Sequence, residues 1–417
     1  IIPPNDMRTV AARLGAASLL AGRIRRRGDS LEMEASVFDA ATSETRPAAT
    51  RRFSERSLLD VESRIAADVA GALFRSGIPG LRRVRGHTID PESYRLTLEG
   101  LHELNADFAP VERGSGARPR AAGDLFNRAV EIDHTNAAAW AGLSSVWGSL
   151  AVADQIPFDE GYDRSSAAAM RAIDIDSTQG LAWANLGMMR AMKHQNLAAG
   201  IPLFRKAEAA EPSNAAIFRV KNALLRSAHR WDQARDAARI ARQLDPLTSN
   251  YVDREAVTEL CANRPEAALE LYRSELALDR SDRLARSGLT RSLARLGRYD
   301  EALASWREGA LAAGDSALAT SLAVARGAQG YWRLKHEEGR HRLQLLKGRP
   351  GYISPVRFMQ AYWAAGDVDA GFQALERAGL TDTRALYRLP CLPEADEIRN
   401  TPRFRAALAR IQALPER

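Results

Sequence analysis

From Pro91 onward, apolar residues return at helical spacing, with few β-branched runs and abundant alanine. That pattern predicts a long succession of short helices. Residues 5–75 follow a different pattern. Val10, Ala11, Leu14 and Ala17 mark a short helix, and Ser18–Arg25 an extended segment. Leu31, Met33, Ala35 and Val37 then alternate with Glu32, Glu34 and Ser36, the signature of a half-buried strand. Turns at Arg26-Arg27-Gly28-Asp29 and Thr42–Glu44 separate these from a third extended segment, Thr45–Phe53. Behind Ser57, Leu58, Val61, Ile65, Val69 and Leu73 recur as a helix, and Gly77 to Arg85 read as a linker.

The helical region repeats itself. A small residue, a second small or apolar one four later, usually another three beyond, and a break five further on occur six times. The first positions are Ala122, Ser165, Gly200, Ala234, Ala268 and Ala302, at intervals of 43, 35, 34, 34 and 34. The breaks at His134, Ser177, Pro212, Pro246, Arg280 and Gly314 keep the same intervals. Such a period marks units that cannot bury their apolar faces alone and must stack. The 43-residue interval predicts an inserted loop near Val152–Glu160. Lys221 and Glu255 stand where leucine is expected, and Glu275 where a small residue is expected. Beyond Gly314 the pattern degrades, then partly recovers around a Gly366-Asp367 turn.

These residues resemble the tetratricopeptide repeat: Trp140, Leu143 and Trp147 in one first helix, Trp183, Leu186 and Gly187 in the next, and Gly200, Phe204, Ala207 and Pro212 in a second helix. The resemblance implies a mainly α fold, a right-handed superhelix (α-solenoid) behind a small α/β unit. Leu19–Arg25, the hairpin through Phe38-Asp39-Ala40 and the helix Leu58–Leu73 look like the closing half of a TolB-like amino-terminal domain. The end Leu389–Leu408, with Asp396 and Pro402-Arg403-Phe404, is similar to the terminus of the same multidomain signalling family. The expected division is a partial TolB-like unit at 1–76, a linker at 77–90, the repeat array at 91–330, and degenerate repeats with a cap at 331–417. In that bacterial family an effector domain lies upstream, commonly a winged-helix transcriptional regulator, otherwise a nucleotide cyclase or kinase. The opening Ile1-Ile2-Pro3-Pro4, without Met, fits a piece of such a longer protein.

Charge changes this picture little. The net +7 is concentrated at the front: residues through Gly86 carry 15 arginines against 10 acidic groups, and the rest is nearly balanced. Direct nucleic-acid binding by the array is therefore not expected. All but five of the 59 basic residues are arginine, a skew that base composition explains as well as function. No apolar run approaches the roughly 18–20 residues that span a bilayer. Cys261 and Cys391 lie outside any CxxC motif, so neither a disulfide scaffold nor a zinc site is expected, and a reducing, cytoplasmic setting is favoured over the periplasm.

Candidate chemistry is sparse. His336 and His341 are five apart, not the four that a helical zinc-protease motif needs, and Gly339 lies between them. Gly114-Ser115-Gly116 follows no strand, and Arg27-Gly28-Asp29 reads as a turn rather than a recognition tripeptide. Neither cysteine has a designated base, and the repeat tryptophans suit interhelical packing. No catalytic residue, metal site or cofactor is indicated. The resemblance implies that positions 2, 5, 9, 12 and 13 of each first helix line a concave face. With position 1 at Ala215, Ser249 and Arg283, these include Arg219, Arg226, Asn250, Asp253, Arg291 and Arg295. Ala223 stands where the family's carboxylate clamp has asparagine, so the expectation is a mildly basic groove for a protein or acidic peptide. Arg291 and Arg226 are expected to tolerate charge reversal without loss of stability.

Overall fold

The structure, a computed structural model, describes residues 7–11, 16–54, 90–105, 117–194, 196–245, 249–349, 353–381 and 389–412. The expected helix at Leu58–Leu73, the linker and Gly114-Ser115-Gly116 lie outside them.

Three strands, β1 (Ser18–Arg27), β2 (Ser30–Asp39) and β3 (Thr45–Ser54), form an antiparallel meander in that order, with an irregularity at Ala35/Ser36. Arg27 pairs with Ser30 across a two-residue loop in which Gly28 has φ +63°, so the Arg-Gly-Asp tripeptide is a hairpin turn. The short helix begins earlier than the sequence pattern implies: residues 7–11 are helical, and Met7 and Ala11 pack on Phe38.

Six helix pairs follow. First helices are α1 (Pro91–Asn105), α3 (Ala137–Val152), α5 (Gly180–His194), α7 (Ala215–Ser227), α9 (Ser249–Cys261) and α11 (Arg283–Arg295). Their partners are α2 (Ala117–Ile132), α4 (Phe158–Ile175), α6 (Leu197–Ala210), α8 (Trp231–Leu244), α10 (Pro265–Leu278) and α12 (Tyr299–Ala312). This is the expected solenoid of tetratricopeptide type behind a small sheet. The six small positions explain it: Ala122, Ser165, Gly200, Ala234, Ala268 and Ala302 are all buried, so paired helices close to contact there. Four positions on, Phe126, Phe204, Tyr272 and Trp306 fill the space between units, and Ala169 and Ala238 stand in the other two. Phe126 and Tyr272 lie so close to Gly142 and Gly288 of the following first helices that an added Cβ would fall 2.5 and 2.1 Å from their rings.

Turns recur with the same period. Asp133, Asp176 and Asp279 each accept bonds from the backbone N–H and hydroxyl two residues on, from Thr135, Thr178 and Ser281. Trp140 and Trp183 donate their indole N–H to the carbonyls of His134 and Ser177, and Arg286 makes the equivalent bond to Arg280 where tryptophan is absent. Within pairs, His229, Asn263 and Gly297 occupy the left-handed region at φ 56°, 61° and 74°. The next N–H in each case closes on a carbonyl of the preceding helix.

The 43-residue interval is not a loop insertion. Relative to α7 and α8, helix α3 is three residues longer, α4 four longer, and the connection two longer. Leu143, Val146 and Leu150 keep helical spacing up to the connection, and buried Phe158 opens the next helix directly after it, so both helices run on. Charged residues at two leucine positions reach the preceding second helix instead of filling an apolar gap: Lys221 Nζ lies 2.5 Å from Glu208, and Glu255 lies 2.9 Å from Arg242.

The array continues through the short α13 (Ser316–Val324), the 21-residue α14 (Gly327–Lys347), and the pair α15 (Pro355–Ala364) and α16 (Val368–Thr381), joined at Gly366 as expected. Two 3₁₀ turns, Leu389–Cys391 and Pro393–Ala395, and α17 (Pro402–Gln412) complete it. Leu389, Leu392, Ala395, Ile398 and Phe404 share one core with Met359, Trp363 and Phe372 of the last pair. Gly339 is explained here: a Cβ on it would sit 2.0 Å from the Ala364 carbonyl, so α14 crosses α15 only because this residue is glycine.

Candidate peptide-binding groove

Successive first helices are neighbours through α5, α7, α9 and α11 and form an inner wall. Opposite stand α14, α15 and the carboxyl-terminal turns, and the two walls enclose a cavity of about 2040 Å3. The far wall reaches back to the start of the array: Arg357 of α15 donates to Gln155, in the connection between α3 and α4, at 3.2 Å. The concave face is therefore lined from both sides.

One end of this cavity is filled by the chain itself. Asp396 lies over α11 and accepts bonds from Arg291 Nε at 2.6 Å and Nη2 at 3.2 Å, a two-pronged carboxylate contact. Arg399 adds a bond at 2.9 Å, and Arg295 Nε stands 3.9 Å away. Arg291 also donates to the Cys391 carbonyl at 3.2 Å. Arg295 is directed elsewhere as well, to the Leu260 carbonyl and the Asn263 side chain, both at 2.6 Å. The edges of the segment are tied to α14: Glu394 to Arg342 at 3.2 Å and Glu397 to His336 at 2.7 Å.

Three guanidinium groups face one carboxylate, and their proton affinities follow. Burial alone would raise the Asp396 carboxyl, but the charge and bonds of Arg291, supported by Arg399 and Arg295, hold it below the usual carboxylate value. Burial opposes the charge on Arg291 too, and Asp396 outweighs it. Arg295 is pushed down to about 10, first by burial, with Arg399 and Arg291 adding repulsion that Asp396 offsets only in part. Burial also lowers Arg399 and raises the Tyr331 phenol beside the cluster.

The six groove residues expected from the sequence divide accordingly. Arg291 and Arg295 face the cavity but are already committed to the carboxyl-terminal segment, so the expectation that Arg291 tolerates charge reversal does not hold: its side chain is only 16% exposed and paired to a buried carboxylate. Asp253 is buried and accepts the Tyr272 hydroxyl at 3.0 Å, which makes it part of the packing between α9 and α10. Arg219 and Arg226 are half-buried and line the unfilled part of the cavity. The Nε of Arg219 is buried and has no acceptor among the described residues. Asn250 lies in the first turn of α9. The tryptophans pack between helices, and Lys206 and Arg164 lie 4.4 Å over Trp183 and Trp147.

The cysteines require a correction. Cys261, the last residue of α9, and Cys391, in the first 3₁₀ turn, form a disulfide across 130 residues. Sequence spacing alone could not reveal it, because the two meet only when the far end of the array folds onto its inner wall. The residues that spacing missed are therefore Asp396, Glu394, Glu397 and the cysteine pair. An even cysteine count and the acidic run Glu394–Glu397 in an arginine-rich chain were the available signals.

No protein-family profile and no curated protein sequence matches this chain. Solved structures do align with it. YrrB, a tetratricopeptide-repeat protein with an unusual peptide-binding site, matches at 17% identity and TM-score 0.31, over 48% of this chain and 97% of its own. Pseudomonas aeruginosa PilF matches at 15% and 0.32, over 66% and 99%. Yeast Tom70 matches at 13% and 0.42, over 86% and 78%. The helix pairs and their period make this chain a tetratricopeptide-like helical-repeat protein, with a concave cavity partly filled by its own carboxyl-terminal segment.

Proposed function

We infer that this chain is a protein-interaction scaffold whose concave groove receives an acidic peptide segment. The observation that carries the reading is the seat of Asp396: the inner wall already holds a carboxylate between arginines, at the end of a 3₁₀ turn and bordered by Glu394 and Glu397. Arg219 and Arg226 present the same chemistry farther along the wall, and the unsatisfied Arg219 Nε calls for an acceptor. A buried donor without a partner costs about 1–3 kcal/mol, which an incoming carboxylate would recover. Nearby Met188 and Met192 supply adaptable apolar surface for the rest of a peptide. Control of an effector carried upstream, a DNA-binding transcriptional regulator or else a cyclase or kinase, extends this reading by resemblance.

The test uses a fluorescein-labelled peptide of sequence Pro-Glu-Ala-Asp-Glu-Ile, that of residues 393–398. Fluorescence anisotropy should show binding to the full chain, weakened at least tenfold by Arg219→Glu with Arg226→Glu at unchanged helicity. Absence of binding, or indifference to the double reversal, overturns the reading.

A further inference from the structure

The segment over α11 is held in two distinct ways. Its apolar side chains and Asp396 bind non-covalently, whereas Cys391 is tied to the inner wall itself, at the end of α9. We propose that the Cys261–Cys391 disulfide is a redox latch on the groove, keeping Leu389–Asn400 over Arg291 and Arg295 and excluding an acidic partner from that end. The proposal rests on the peptide-binding reading above and adds its regulation.

The two sulfurs differ in access. Cys261 is buried, while Cys391 is half-buried and faces the cavity. A dithiol reductant enters from the cavity, and its thiolate attacks the Cys391 sulfur. A mixed disulfide forms, and Cys261 leaves as a thiolate that takes up a proton. The second thiol of the reductant, as thiolate, then displaces Cys391. Two electrons and two protons have entered the protein, leaving two cysteine thiols and a cyclic disulfide on the reductant.

Reduction does not by itself expel the segment, because Leu389, Leu392 and Ile398 remain buried with the last helix pair. It removes the constraint on reopening. A cross-link closing a 130-residue loop suppresses the open state by a factor between about ten and a few thousand. A peptide that binds only the open end gains apparent affinity by the same factor, since affinity scales with the competent fraction. Arg291 and Arg295 of the inner wall are a ready receptor once Asp396 moves: two buried cations would otherwise be left without their carboxylate.

The experiment compares the full chain in oxidised and in dithiothreitol-reduced buffer, with Cys391→Ser in oxidised buffer as a third sample. Helicity at 222 nm verifies that all three are folded. Amide hydrogen exchange over residues 389–400 should accelerate at least tenfold in the reduced and Cys391→Ser samples, and the labelled peptide should bind at least tenfold more tightly to both. Unchanged exchange overturns the latch, whatever the peptide does. Accelerated exchange with no peptide binding in any sample supports release of the segment and overturns the peptide reading. Accelerated exchange with equal peptide affinity in all three overturns exclusion of the partner by the segment.

Discussion

Replacing Asp396 by asparagine removes one charge from a site where three arginines converge. The carboxylate side chain is 7% exposed, and Arg291, Arg295 and Arg399 are 16%, 5% and 12% exposed, so solvent does little to compensate. Loss of one partner from a buried ion pair costs about 3–5 kcal/mol, because the remaining charge stays desolvated. Asparagine retains one acceptor oxygen, which places the expected loss near the lower end, about 3 kcal/mol. Urea unfolding at pH 7, followed through tryptophan fluorescence, measures it, with Trp363 in the same core. The pH dependence gives a second, independent reading. The folded-state pKa of Asp396 is lowered, so its stabilising contribution is complete above the unfolded value near 4 and is lost as pH falls through the lower folded value. The gap between wild type and Asp396→Asn should therefore be constant from pH 5 to 8 and close on acidification below about pH 4. A loss under about 1 kcal/mol at pH 7, or a gap that persists undiminished to pH 2, refutes the buried-carboxylate argument.

Other substitutions probe the frame that carries the groove. Gly288→Ala should cost about 1–3 kcal/mol by overpacking, since its new Cβ would fall 2.1 Å from the Tyr272 ring; chemical denaturation measures it. Gly297→Ala meets no neighbour within 4 Å, so its expected loss of about 1–2 kcal/mol comes from the left-handed backbone alone, and chemical denaturation should show that loss at unchanged helicity. Phe126→Ala should cost about 3–5 kcal/mol, because a fully buried ring between two repeats is lost. Cys391→Ser should lower stability by about 2–5 kcal/mol relative to the oxidised chain and by far less relative to the reduced chain, as thermal melts in both buffers would show.

The repeat was legible because its physics is local. A small residue must stand wherever paired helices touch, so Ala234, Ala268 and Ala302 return at the period of the unit and are all fully buried. Strand alternation in β2 was legible for the same reason. Helix length was not: the residues at 152–160 register as excess over the period, and only packing distributes that excess between α3, α4 and their connection. The groove was half legible. Repeat register places Arg219, Arg226, Arg291 and Arg295 on the inner wall, but Asp396 meets Arg291 across 105 residues. Cys391 meets Cys261 across 130. Contacts of that range depend on the curvature accumulated over several units, which no periodicity encodes. Asp253 shows the complementary error, a position that faces the concave side by register yet is taken up by the Tyr272 hydroxyl.

The seating of the carboxyl-terminal segment on the inner wall is tested most directly by peptide mapping of the folded, air-oxidised chain under non-reducing conditions, with free thiols alkylated before digestion. Mass spectrometry should recover one cross-linked species joining the peptide that contains Cys261 to the one that contains Cys391, which collapses into its two components on reduction. Recovery of both cysteines as separate alkylated peptides from the folded, oxidised chain would contradict the docked segment and, with it, the partly occupied groove.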